Sequence, residues 1–384
     1  MVSVKVCCAS VSIAVAAMVA DAAPLPRVHP SVHRTLERQG SADIIVTLKQ
    51  TPAAAIASVQ EADFDSRGAK IEALVGRLEQ LATESQSALN AVLAQESAPT
   101  VPLYQEKTSF WISNQVFIKG ASYELVQRLS ALPSLSEVRE QLILPLPEPI
   151  QQEDTGNSTS TGVLANEWGI TKIGAPSVWA SGNTGQKVVV STIDTGVLYT
   201  HEALKNNFRS SHGWFDPPKK TTTPTDENGH GTHTMGTIAG SGGIGVAPGA
   251  KWIACRGCTT EGCTEADLLS CAHWGGGQGD NWYKPAVDAW VKAGIIPVFA
   301  AGNEGPNCTT VSSPGDYPNV ITNPDVTSDE IKVALYTTTK QTNMEPSGYT
   351  CGGTSDQVWP NNQYGHGRLS IIDAYQGFRP APTQ

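Results

Sequence analysis

Hydrophobic residues in the first part of the chain form short apolar runs typical of strands and helically spaced patterns typical of helices. Together they predict a small unit of strands and helices. Apolar and β-branched residues predict strands over Ala42–Leu48 and Phe110–Ile118. Apolar residues at helical spacing over Lys70–Val92 and Ser122–Ala131 predict two helices, and Val138–Ile143 predicts a further edge strand. Strands and helices in this mixture predict an independent α+β unit.

A polar stretch then separates two regions of the chain. Residues 146–165 are rich in Pro, Gln, Asp, Ser and Thr and show no periodicity, which is typical of an exposed linker. We therefore predict an α+β domain over residues 41–145, a linker over 146–165 and a second domain over 166–380.

The second region alternates apolar strands with helical segments. Lys187–Ile193 and Ala250–Ala254 are predicted to be strands, and so is the apolar run that starts at Gly294 and ends at Asn303. Helices are expected after Gly229 and from Glu265. This alternation predicts the α/β class, with a parallel sheet covered by helices. The run from Lys187 is apolar enough to be a central strand.

The first residues have the layout of a secretory signal. Lys5 precedes an apolar run from Cys7 to Ala20, and small residues follow to Ala22, so we predict a signal over residues 1–22. The run of about 14 residues is shorter than the roughly 20 of a spanning helix, so a membrane anchor is not expected. Its removal leaves six cysteines, which fits disulfides in a secreted, extracellular protein, with the pairing left open.

Charge and short motifs narrow the possible partners. The chain carries 26 Lys and Arg against 36 Asp and Glu, a net charge of −10, and has no basic run, so nucleic acid is not expected. Asn157 and Asn307 each begin an Asn-x-Ser/Thr triplet and are candidate glycosylation sites.

Three residues at the ends of predicted elements carry candidate chemistry. Asp194 ends a strand, His230 opens a helix, and Asn303 follows a strand between glycines. Taken singly, each has an ordinary alternative as a turn or capping residue. His230 and His233 could also share a helix face as a metal pair. That pair lacks the Glu and the third ligand of the familiar helical zinc motif, so no metal site is predicted.

In this order, the segments around Asp194, His230 and Asn303 resemble the Asp, His and oxyanion-Asn motifs of the subtilisin-like serine protease (subtilase) family. The resemblance implies that Asp194 orients the imidazole, His230 is the general base and Asn303 belongs to the oxyanion hole. It also implies that residues 41–145 form an inhibitor-type propeptide that docks on the second domain. Protein or peptide substrates, the chain's own propeptide as a partner, a monomer and no cofactor are expected on the same ground.

The sequence departs from this family where the nucleophile should be. Its single Gly-Thr-Ser, ending at Ser355, runs into a polar segment interrupted by Pro360, so we expect Ser355 on a surface loop. Family-like segments join directly at Asn323-Pro324, and a strand is missing after Cys271, which indicates two internal deletions. The nucleophile is therefore unknown.

Two hypotheses follow. The first is a secreted serine-type endopeptidase precursor of which this chain is an incomplete version, so that only the Asp and His of its triad are identifiable. The second is a catalytically inactive, protease-like protein that acts as a propeptide-type inhibitor or a binding module.

Overall fold

The computed structural model describes most of the chain as two packed units, which we call the N-terminal unit (residues 27–144) and the C-terminal unit (residues 166–377). The described residues are 25–60, 64–96, 102–146, 166–271, 283–302, 307–311, 313–317, 334–335, 337–342 and 344–377. The predicted signal over residues 1–22, Asn157 and Asn303 lie outside them.

The N-terminal unit contains a five-stranded sheet of order β1-β5-β2-β4-β3, with β2 antiparallel to both of its neighbours. Its strands and helices, in chain order, are β1 Arg27–Val28, α1 Pro30–Gln39, β2 Ser41–Leu48, α2 Ala53–Gln60, α3 Arg67–Ser85, α4 Ser87–Glu96, β3 Glu106–Phe110, β4 Gln115–Ser122, α5 Tyr123–Ser130, β5 Leu135–Glu140 and β6 Ile143–Leu144.

Both faces of this sheet are covered, which explains the apolar run in β2. Ile44 and Val46 belong to a core shared with α1, α4 and α5, whereas Ile45 points to the other face and joins a core that includes α2 and α3. All three side chains are fully buried. A strand covered on both faces has no polar alternation, because neither side meets water.

The observed N-terminal unit differs from the predicted one at its start and within its sheet. It begins at Arg27 rather than Ser41, because β1 pairs with β5 and α1 packs on β2. Pro30 lies in the first turn of α1, and Gly40 ends it in the left-handed conformation. Since β5 lies between β1 and β2, the prediction of an edge strand at Val138–Ile143 is wrong.

The predicted strand over Phe110–Ile118 is also wrong, because the chain turns over within it. The strands β3 and β4 form an antiparallel hairpin, and Asn114 at the turn has φ of 53°. The side chain of Asn114 donates to the Gln50 carbonyl at 2.7 Å and accepts from the Gln86 amide at 3.0 Å. Asn tolerates this left-handed conformation better than most residues, so Ser113-Asn114 was the available sequence signal.

The C-terminal unit is built around a parallel sheet of order β7-β9-β8. Its strands and helices, in chain order, are α6 Trp168–Lys172, α7 Ala175–Ala180, β7 Val189–Asp194, β8 Trp214–Phe215, α8 His230–Ala239, β9 Lys251–Arg256, β10 Cys263–Thr264, α9 Glu265–Ser270, α10 Lys284–Ala293, β11 Thr350–Cys351, β12 Thr354–Ser355 and α11 Ile371–Gly377. The parallel sheet agrees with the predicted α/β class.

The strand β7 lies at the edge of the described sheet, so the prediction of a central strand is not met there. It pairs with β9 on one side only, and Val189 is 44% exposed. The strand predicted from Gly294 to Asn303 does not form over its described residues 295–302, and Val298 is 72% exposed. The described sheet offers this apolar segment no pairing partner, and a strand forms only against a neighbour.

Three disulfides lie in the C-terminal unit, joining Cys255 to Cys271, Cys258 to Cys263 and Cys308 to Cys351. The first two tie β9 and the loop after it to the segment that contains β10 and α9. In the described part of the chain, no helix is both long and apolar enough to cross a membrane.

Candidate active site

Asp194 and His230 meet where β7 ends and α8 begins. Asp194 is the last residue of β7 and lies opposite Arg256 of β9, so it stands at the carboxyl edge of the parallel sheet. His230 is the first residue of α8, preceded by Gly229 at φ 99°. Parallel sheets place ligand-binding and catalytic groups at this edge.

The two side chains converge at hydrogen-bond distance. The His230 Nδ1 lies 2.7 Å from Asp194 Oδ1 and 2.9 Å from Oδ2. The Asp194 carboxylate also accepts from the Thr195 amide at 2.7 Å and from the Thr234 hydroxyl at 3.1 Å. These bonds fix the orientation of the carboxylate and therefore that of the imidazole.

Asp194 makes His230 more basic. The hydrogen bond that the Asp194 carboxylate accepts from the imidazole raises the pKa of His230, and the charges of Asp194 and Asp226 act in the same direction, against the opposing effect of burial. An ordinary histidine has a pKa of about 6.5, so the charged imidazole of His230 persists to higher pH here. A carboxylate that stabilises the imidazolium is what a histidine needs to accept a proton during a reaction.

Asp226 is a residue that the sequence analysis missed, and it fixes the loop before α8. Its Oδ1 accepts from the Thr195 hydroxyl at 2.9 Å and from the Gly229 amide at 2.9 Å, while Oδ2 accepts from the Thr232 amide at 2.9 Å. Burial alone would raise the pKa of Asp226, but these hydrogen bonds outweigh it and lower the pKa. The signal available in the sequence was an Asp three residues before a Gly at a helix start.

Gly231 allows α8 to approach β7 closely. A Cβ atom at this position would lie 2.1 Å from the Gly196 carbonyl oxygen and 3.0 Å from the Asp194 Cβ. Its backbone N–H donates to the Thr195 hydroxyl at 2.9 Å. The glycine therefore sets the distance over which His230 reaches Asp194.

Arg256, at the end of β9, is a second missed residue. Its guanidinium is buried, lies 3.5 Å from the buried Asp216 carboxylate and sits 5.5 Å over the Trp214 ring. Its Nη2 donates to the Thr225 carbonyl at 2.7 Å. Arg256 thus connects the sheet edge to the loop that carries Asp226.

No serine completes this pair among the residues that the structure describes. The hydrogen bonds of the His230 ring go to Asp194, and no described group bonds to its Nε2. Ser355 belongs to the hairpin strand β12 rather than to the expected loop, and its hydroxyl accepts from the Gln357 amide at 3.2 Å.

The remaining predicted residues are placed as follows. Asn307 is exposed beside the disulfide-bonded Cys308, and Asn303 is outside the described residues. Within the described ranges, no three His, Cys, Asp or Glu side chains are grouped so that they could hold a metal ion.

The end of the N-terminal unit lies beside the strand end that carries Asp194. The strand β6 pairs antiparallel with β10, with Leu144 opposite Cys263. Leu144 and Leu146 pack against Leu268 and the cysteines of the Cys258–Cys263 disulfide, and Ile193 belongs to the same cluster. The end of the N-terminal unit therefore forms a separate two-stranded sheet with β10 of the C-terminal unit. The cluster beside this sheet includes Ile193, the residue that precedes Asp194.

Comparison with known proteins agrees with this geometry. Residues 185–366, which span β7, α8, β9 and the C-terminal hairpin, match the model of the subtilase family. The chain belongs to the subtilase family. Subtilases are serine-type peptidases with an α/β subtilisin-like fold.

Three relatives show the extent of the similarity. The chain is 32% identical to bacillopeptidase F of Bacillus subtilis (strain 168) over 55% of this chain and 18% of that protein. It is 37% identical to the minor extracellular protease Vpr of the same strain over 37% of this chain and 21% of that protein. It is 30% identical to subtilisin DY of Bacillus licheniformis over 51% of this chain and 76% of that protein. The matched part thus spans about a fifth of the first two relatives.

Proposed function

We propose that this chain is a precursor form of a secreted serine-type endopeptidase that acts on protein or peptide substrates. In this proposal Asp194 orients the imidazole and supports it electrostatically, His230 is the general base and then the general acid, and Asn303 belongs to the oxyanion hole. The observation that carries it is the 2.7 Å contact between His230 Nδ1 and Asp194 Oδ1 at the sheet edge of a subtilase domain.

The geometry supports a defined division of roles. With Nδ1–H donating to Asp194, Nε2 is the nitrogen left to accept the proton of an attacking hydroxyl. Asp194 then stabilises the imidazolium and keeps its own charge, and His230 later returns the proton to the leaving amine. No nucleophile is assigned, so we infer that the chain as written does not turn over substrate.

The N-terminal unit is proposed to be an inhibitor-type propeptide. Support comes from the antiparallel pairing of β6 with β10, which covers the C-terminal unit next to the strand that ends at Asp194. The three disulfides and the similarity to a protein named as an extracellular protease support secretion.

A second candidate function is that of a catalytically inactive inhibitor or binding module. One specific observation favours it: the sheet of the N-terminal unit is complete, with β2 paired on both sides, while the His230–Asp194 pair has no serine partner in the described part of the chain. Under this hypothesis the N-terminal unit would bind and inhibit an intact relative.

Incubating the expressed full chain with casein tests the proposal on turnover. We expect no hydrolysis above buffer and no release of the N-terminal unit, because loss of a triad member leaves activity several orders of magnitude lower. Casein hydrolysis that a serine-directed inhibitor blocks, with cleavage between residues 145 and 161, would show that a nucleophile is present.

The role of the Asp194–His230 pair has a readout independent of turnover. By NMR titration, Asp194→Asn should lower the pKa of His230, because the hydrogen-bonded carboxylate is the main cause of its rise. The raised pKa also means that the pair stabilises the fold below the ordinary histidine pKa and loses this contribution as the pH rises through the pKa of His230. Asp373→Asn, which removes a carboxylate bonded to Lys340, is the matched control and should leave His230 unchanged.

A further inference from the structure

Two arginines of the N-terminal unit contact helices of the C-terminal unit in different ways. Arg67 donates to the carbonyls of Ala293 at 3.2 Å and Gly294 at 2.9 Å, at the C-terminal end of α10. Arg139 instead binds the side chain of Glu265, the first residue of α9. Arg67 therefore recognises backbone atoms that any helix end presents, whereas Arg139 recognises a side chain that the partner must carry.

The ion pair between Arg139 and Glu265 is bidentate. Arg139 Nη1 lies 2.6 Å from Glu265 Oε2, and Nη2 donates to Oε1. The Leu142 amide donates to Oε2 at 3.1 Å, and the Glu265 amide donates back to the Leu142 carbonyl at 2.9 Å. The ion pair and the β6–β10 ladder therefore meet at one residue, which sets the register of the ladder.

Because the Arg139–Glu265 contact is buried, its free energy depends strongly on the charge of the residue that faces Arg139. The Glu265 side chain is 0% exposed and that of Arg139 is 16% exposed. Removing two charges from water offsets much of their attraction, so such a pair adds little affinity by itself. A buried charge facing a neutral or like-charged partner is strongly unfavourable, so the pair discriminates between partners.

We propose that the Arg139–Glu265 pair determines which peptidase domain the N-terminal unit covers. The accepted partner is a subtilase domain with an acidic side chain at the first turn of the helix that corresponds to α9. A domain with a neutral or basic residue at that position is rejected, even though Arg67 could still donate to the backbone carbonyls at the end of the helix that corresponds to α10. This inference rests on the proposed function, in which the N-terminal unit covers the C-terminal unit next to the strand that ends at Asp194.

A charge-reversal cycle in the full chain tests the proposal. A recognition sequence for a site-specific protease is inserted within residues 147–165, the chain is cut there, and the dissociation constant of the two pieces is measured. Arg139→Glu and Glu265→Arg should each weaken association at least about 30-fold, because each places like charges together in a buried site. The double variant should return to within about tenfold of the original, because opposite charges face each other again.

Controls separate this charge effect from misfolding. Arg128→Glu makes the same charge change at an exposed residue that pairs with Glu124 on the same helix, and should alter association less than about threefold. Arg67→Ala should weaken association with no recovery from any change at Glu265. If the reversals unfold either piece by circular dichroism, Arg139→Gln, Glu265→Gln and their combination complete the same cycle.

The outcomes separate two claims: that the N-terminal unit covers the C-terminal unit, and that the Arg139–Glu265 pair selects its partner. Suppose that the unmodified pieces stay together, but that the dissociation constant of the double variant rises by the product of the two single-variant factors. The proposal on partner selectivity is then overturned, while the proposal that the N-terminal unit covers the C-terminal unit is unaffected. If the unmodified pieces separate at micromolar concentration, the N-terminal unit is not a cover at all. Recovery in the double variant supports both.

Discussion

The N-terminal and C-terminal units use apolar strands of similar composition in different surroundings. In the N-terminal unit β2 pairs on both sides, and Val46 is fully buried. In the C-terminal unit β7 pairs on one side within the described sheet, and Val189 is 44% exposed. A valine therefore contributes very differently to stability in the two strands. An apolar run shows only that a strand is suited to burial, not that it is buried.

The two units also differ in covalent support. The three disulfides among the described residues lie in the C-terminal unit, whereas residues 27–144 contain no cysteine. The N-terminal unit has no covalent cross-link and is stabilised by hydrophobic cores, one of which it shares with α9 and α10 of the C-terminal unit. The C-terminal unit, with its short described sheet, has cross-links that restrict its unfolded chain.

The largest expected effect comes from reducing the disulfides. Each one removed should destabilise the C-terminal unit by about 2–5 kcal/mol. Hydrogen exchange after treatment with a thiol reductant should therefore show loss of protection in β9 and α9, while β2 and β4 keep theirs. As a control, the unreduced protein is measured under the same conditions. Equal loss of protection in both units would show that their stabilities are coupled through the interface.

The next largest effect is the difference in the free energy of unfolding when the same substitution, Val→Ala, is made in the buried strand β2 and in the edge strand β7. Val46→Ala should lower the free energy of unfolding of the N-terminal unit by about 2–3 kcal/mol, because it leaves a cavity at a fully buried site. Val189→Ala should cost about 0.5 kcal/mol or less, as an exposed position does. Hydrogen exchange of β2 and β7 measures both. A cost at Val189 as large as that at Val46 would contradict the exposed edge position given to β7.

A pair of glycine substitutions gives smaller effects of opposite sign. Gly231→Ala should destabilise the C-terminal unit by about 1–3 kcal/mol, because its Cβ would overlap the Gly196 carbonyl oxygen. The same change should move the pKa of His230 back toward its ordinary value by separating it from Asp194. Gly76→Ala, in α3 with no atom near the added Cβ, should stabilise the N-terminal unit by about 0.5–1 kcal/mol. Thermal unfolding and NMR titration check these signs, and an unchanged His230 pKa in Gly231→Ala would contradict the role given to this glycine.

Several features were predictable from the sequence because their causes are local. The strand that ends at Asp194 and the helix that starts at His230 each follow from a short apolar run and adjacent glycines. The helix over residues 123–130 begins at a capping serine, Ser122, whose hydroxyl accepts from the Leu125 amide. Spacing and caps act within one or two turns, so the sequence shows them directly.

Other features escaped prediction because they depend on distant residues. The hairpin between β3 and β4 required a left-handed Asn114 supported by Gln50 and Gln86. The predicted strand after Gly294 did not form, although its composition suits one. Strand formation requires a neighbour, and no local pattern shows whether that neighbour is present.

The sequence by itself determined the family, the order of the candidate catalytic residues and the absence of a recognisable nucleophile segment, since these are read from contiguous motifs. Only the tertiary structure decided which strands pair, which cysteines join and how the two units meet. Arg139 and Glu265 are 126 residues apart and carry no motif, yet they form a buried ion pair. Such contacts arise when folding brings distant surfaces together and excludes water between them, and a linear pattern does not encode that exclusion.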